Sequence, residues 1–173
     1  MDIIQSETLK IRRKSVLGGE GEPVDVIDHV IHKSREYAEK APLPPIAVVA
    51  NADQAIVFPD VNDFMQTGES KDALVEVLRS ACREIDATEF LLVSEIWCAR
   101  FPSMEDRGQA PASLADVPGR TEALMVVHQM PHRRYVTAYE IQDLGAGKRQ
   151  VSRIGRTIDG DIRFDIIPMA SAN

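Results

Sequence analysis

Four residues hold the acid/base potential of this chain: Glu95, Arg120, Glu122 and His128. Glu95 stands in Leu91-Leu-Val-Ser-Glu-Ile-Trp-Cys-Ala-Arg100, where both alternating sets of positions are mainly apolar, so the segment reads as a central strand and its carboxylate as partly buried. A buried carboxylate without a partner is costly and tends to keep its proton, so a partner is expected. Arg120 and Glu122 open the next strand in Pro118-Gly-Arg-Thr-Glu122. Arg120 opposite Glu95 makes a charge clamp. Glu122 opposite Glu95 makes two carboxylates sharing a site, an acid/base arrangement. Register decides between them, and the residue pattern does not fix register.

Other chemistry-bearing clusters are weaker. Asp25, His29, His32 and Glu36 fall on one side of a helix at roughly 100° per residue, from which a divalent metal site can be drawn. The competing role is a solvated face with i,i+4 Asp–His and His–Glu pairs. His128-Gln-Met-Pro-His132 has the spacing of a zinc half-site, but Pro131 opposes a helix and no paired cysteines supply further ligands. Gly145-Ala-Gly-Lys148 lacks the first glycine of a phosphate loop and is followed by Arg149 rather than Ser or Thr, so it reads as a hairpin turn. Ser94 has no G-x-S-x-G elbow around it. The two cysteines, Cys82 and Cys98, read as reduced core residues. No dinucleotide fingerprint is present, and no cofactor is expected.

The elements that must position these groups follow from periodicity and punctuation. Leu9–Leu17 reads as an edge strand or arm, ended by the hinge Gly18-Gly-Glu-Gly-Glu-Pro23. A helix is expected from Val24 to about Lys40, stopped by Ala41-Pro-Leu-Pro-Pro45. Ile46–Ala50 and Ala55–Phe58 form a hairpin about Asn51-Ala-Asp53. Ser70 is the expected N-cap of a second helix reaching Ile85, with Leu74, Val77, Leu78, Ala81 and Ile85 as its buried stripe. Strands are then expected at Glu89–Ala99, Thr121–Met130, Tyr135–Gln142, Gln150–Ile158 and, after Asp159-Gly160, Asp161–Ile167. The proline-bearing loop Arg100–Gly119 is long enough to be functional or disordered.

This order predicts an α+β fold: a mostly antiparallel sheet of about six or seven strands with two helices packed on one face. The division is an N-terminal arm or edge strand with its hinge over 1–23, one domain over 24–168 and a tail over 169–173. With 173 residues, one domain accounts for the chain. The net charge of −7 disfavours a dedicated nucleic-acid binder, no apolar run approaches a membrane span, and the N-terminus lacks a signal-peptide layout. The expected location is cytoplasmic.

Ser94-Glu-Ile-Trp97, the loop, and Pro118-Gly-Arg-Thr-Glu-Ala-Leu-Met-Val126 together resemble a family of small uncharacterised bacterial and phage-encoded proteins. In that family a strand of the type Ser-Glu-Ala-Trp precedes a proline-rich loop and a segment of the type Arg-x-Glu-apolar-apolar. The resemblance spans roughly Leu43–Phe164, departs at Ile96, and implies no activity.

The function expected from these observations is a non-catalytic accessory or interaction protein of phage or mobile-element origin, binding a protein partner or a second copy through its sheet and long loop. The first alternative is a small hydrolase with Glu95, Arg120, Glu122 and His128 lining a pocket at the base of the 101–119 loop. The second is a nucleic-acid module using Lys10, Arg12, Arg13, Lys14 and the Lys148–Arg156 strand.

Overall fold

The short apolar runs on either side of Asn51 become β4 (Ile46–Ala50) and β5 (Gln54–Phe58). The Asn51 side chain closes the turn between them by accepting from the Asp53 and Gln54 amides, at 2.8 and 2.9 Å. The computed structural model describes residues 8–17, 21–99, 105, 108, 116–158, 166 and 167. Around that hairpin it builds a seven-stranded antiparallel sheet, β1-β5-β4-β6-β7-β8-β9. The added strands are β1 (Leu9–Arg12), β6 (Glu89–Cys98), β7 (Thr121–Met130), β8 (Arg133–Gly145) and β9 (Lys148–Ile158). Two short strands, β2 (Lys14–Ser15) and β3 (Val24–Asp25), pair separately.

The molecule is an α+β fold, with the expected number of strands. The helices are arranged otherwise than expected. Helix α1 (Val26–Ala38) shares a buried cluster with Leu91, Val93, Leu124 and Val126, whereas α2 (Gly68–Ile85) shares one with Phe90, Leu92 and Val127. Successive strand residues point to opposite faces, so the two helices cover opposite faces of the sheet. The physical reason lies in β6 itself: both of its alternating sets are apolar, and each exposes a face that needs its own cover.

Helix ends also differ in detail. Asp25 caps α1, its carboxylate accepting from the Ile27 and Asp28 amides. Thr67, not Ser70, caps α2; Ser70 stands at the third helical position and returns the bond in a capping box, which satisfies free amides from both sides. Between β5 and α2 the chain makes a 3-10 turn at Asn62–Met65.

The tight turns set the register of the meander. Ala146 and Gly147 form a two-residue turn with φ of 52° and 74°, the left-handed pair that matches the twist of a hairpin. The expected Asp159-Gly160 turn and most of the expected strand after it lie outside the described residues, as do most of the 101–119 loop, the first seven residues and the 169–173 tail. Ile166 and Ile167 are described: both are buried in the α2 cluster, and both amides donate to Oε1 of the fully buried Gln129, at 2.9 and 3.3 Å.

Candidate functional site

Glu95 lies opposite Leu124 in the β6–β7 ladder, and Trp97 lies opposite Glu122. Directly opposed residues share a face, so Glu95 and Glu122 are diagonal neighbours on the α1 face. Neither is met by Arg120. That residue precedes β7, stands past the end of the ladder, and places its guanidinium 4.7 Å above the Trp97 ring. The cation comes instead from two strands away. Glu122 is opposite Ile141 on β8, Ile141 is opposite Val151 on β9, and Arg149 stands two residues along on the same face.

Arg149 forks onto Glu95, with Nη1 to Oε1 at 3.1 Å and Nη2 to Oε2 at 2.9 Å. The Leu43 amide donates a third bond to Oε1 at 2.9 Å, tying the chain between α1 and β4 to β6. The two charged side chains retain only 11% and 10% of their exposure. Arg149 Nη2 also approaches Glu122 Oε2 at 3.3 Å, and the Glu122 side chain remains 37% exposed. The Glu122 carboxyl is held above its ordinary pKa, chiefly by desolvation and then by its hydrogen bond to and charge repulsion from Glu95. The Arg149 guanidinium is driven up by its bonds to Glu95.

His128 is not part of this site. It lies six positions from Glu122 on the same strand, roughly 20 Å away at the rise of a β-strand. There it meets Glu89, Nε2 to Oε2 at 2.9 Å. Arg13 closes on the same carboxylate from the other side, Nη1 to Oε1 at 3.0 Å, and its Nε donates to Asp25 Oδ2 at 2.7 Å. The chain Asp25–Arg13–Glu89–His128 thus joins the α1 N-cap, the link between β1 and β2, the start of β6 and the end of β7. Glu89 is pulled down to about 2, first by the His128 hydrogen bond and then by Arg13. Glu89 escaped the sequence criteria because it stands at an element boundary, where alternation says little; Arg13, expected as a nucleic-acid contact, is instead held between Asp25 and Glu89.

The helix-face cluster is not assembled either. Asp25 is committed to Arg13 and to the α1 cap, while His32 pairs with Glu36 at 3.0 Å. Among the described residues no group of three His, Cys, Asp or Glu side chains is placed to hold a metal ion. Cys98 and His128 stand at opposite ends and on opposite faces of the β6–β7 pair. Burial pushes the Cys82 thiol up to about 11 and also raises Cys98, which removes the thiolate character a nucleophile needs.

Two surface cavities lie elsewhere. One of about 320 Å³ separates α1 from the β4–β5 hairpin and is largely apolar, with Val30, Tyr37, Leu43 and Ile46 in its walls. The other, about 340 Å³, lies at the end of α2 beside Cys82, Arg83 and Ile166. No described helix is long and apolar enough to cross a membrane. No family model, curated protein or solved structure matches the chain.

Proposed function

We propose that this chain is a non-catalytic interaction protein whose Glu95–Arg149–Glu122 group is a structural clamp. The observation that carries the proposal is the saturation of Glu95: both oxygens are taken by the Arg149 fork, and one also accepts from Leu43. A general acid or base must have an oxygen within reach of a substrate proton, and this carboxylate already accepts three bonds and keeps only 10% of its exposure. Its distance from His128 removes the second member of the proposed acid/base cluster. The accessory role and the protein partner are supported by what is left: a seven-stranded sheet whose outer strand carries exposed charged side chains.

One observation favours the hydrolase alternative. Glu122 is partly exposed and its carboxyl is raised beside an arginine, a combination that marks candidate acid/base sites. The two cavities described above are lined by other residues, which leaves Glu122 without a substrate pocket among them. The test is affinity capture by wild-type chain and by Glu122→Gln, in parallel with a screen of ester, amide and glycoside substrates. A specific partner retained by both chains is the expected result. Turnover by the wild type that Glu122→Gln abolishes contradicts the proposal.

A further inference from the structure

Among the described residues, β9 is the outermost strand on its side of the sheet, paired with β8 alone. Edge strands in natural proteins are usually kept short, because a long one presents unpaired amides and carbonyls to other chains. This one runs for 11 residues, and Ser152 to Arg156 are exposed. Its sequence, Lys-Arg-Gln-Val-Ser-Arg-Ile-Gly-Arg-Thr-Ile, contains four cations and no acid, in a chain of net charge −7.

The register gathers the guanidinium groups on one face. Arg153 is opposite Tyr139 and Arg156 opposite Thr137, both on the α1 side. Arg156 is braced there, its Nε donating to Thr137 at 3.2 Å and its guanidinium 4.8 Å above Tyr135. Arg35 of α1 adds another cation 4.7 Å above Tyr139. Arg149, on the same face, is already committed to Glu95. Ile154 is the extra residue of a bulge between Arg153 and Gly155, so Lys148–Arg153 is the uninterrupted part of the edge.

Resting on the interaction role above, we infer that the β9 edge receives an extended acidic segment of a partner protein, added as an eighth strand with its carboxylates on the α1 side. Main-chain hydrogen bonds supply affinity in such strand addition, and alternate side chains supply specificity. Carboxylates on the incoming strand come within cross-strand distance of Arg153 and, past the bulge, of Arg156. A second copy is the wrong occupant. Pairing β9 with itself sets four cations against four, and like charges directly opposite destabilise a ladder. The same charges that guard the edge against self-association select an acidic strand.

The probe is a synthetic peptide of alternating glutamate and valine, about eight residues long, which places every carboxylate on one face. Two derivatives carry N-methyl groups on one or the other set of alternate amides. With full-length protein at low salt, amide exchange should slow in β9, and only one derivative should lose binding. Arg153→Glu, an exposed position, should keep the thermal midpoint and weaken the peptide about tenfold. Equal binding of both derivatives, equal or tighter binding of oligothymidylate, or a wild-type dimer that protects the β9 amides overturns the inference. So does an absence of peptide binding; if Arg153→Glu then still captures the wild type's protein partner, the edge assignment alone falls. A wild-type chain that captures no partner removes the interaction role itself.

Discussion

At the scale of single residues, two neighbouring glutamates share one arginine unequally. Glu95 is almost sealed with its fork complete, so Glu95→Gln leaves Arg149 with only the longer contact to the partly exposed Glu122 and should cost about 3 kcal/mol in urea unfolding. Glu122 is destabilised as an anion in the fold, and Glu122→Gln should be neutral or mildly stabilising at pH 7. Glu89 provides the pH dependence. Its folded pKa lies below its ordinary 4.5, so its contribution is complete above that value and is lost as pH falls toward about 2. Unfolding between pH 5 and 2 should show wild type losing about 2 kcal/mol more than Glu89→Gln across that window, after allowance for partial exposure. An identical pH slope in both proteins contradicts the bridge. The sequence places a partner beside Glu95 but not its identity: the β6–β7 connection is too long to fix register, and Arg149 acts across two intervening strands.

At the scale of elements, what was legible depended on how tightly each turn is built. Thr121–Met130 matches its expected bounds, and the hairpin about Asn51 is where the pattern of apolar runs puts it. The turn at Pro131 is only two residues long, so counting outward from it sets Glu122 opposite Ile141; beyond the Ala146 turn a register shift between Asp143 and Gly145 moves Arg149 from the counted position opposite Leu144 to one opposite Asp143. That irregularity hid the face of Arg149 from counting. Helix faces were harder, because a strand apolar on both sides does not say which helix covers which side. The Ala146 turn also carries a testable strain. Ala146 adopts φ of 52°, a conformation glycine takes without a Cβ penalty. Ala146→Gly should raise stability by about 0.5 kcal/mol, the relief of strain exceeding the entropy added to the unfolded chain. Lower stability in thermal unfolding means the turn is not strained.

At the scale of the whole molecule, the sheet is pinned on its α1 face by two charged groups about six residues apart along β6. Glu89 ties in β7, the α1 cap and the N-terminal strands, while Glu95 ties in β9 and the chain leading to β4. Between them α1 buries Val26, Ile27 and Ala38 against the apolar centre. Pairing with buried arginines explains how acidic residues are held in so apolar a strand. The same distribution leaves exposed cations on β9 in a chain that is acidic overall. The clamp is tested most directly by a double-mutant cycle over Glu95→Gln and Arg149→Met in equilibrium unfolding, with partner capture measured on the folded fraction of each variant. The account predicts a coupling of about 2 kcal/mol or more and capture by Glu95→Gln equal to wild type. A coupling near zero, or a stably folded Glu95→Gln chain that has lost its activity toward partner or substrate, contradicts it.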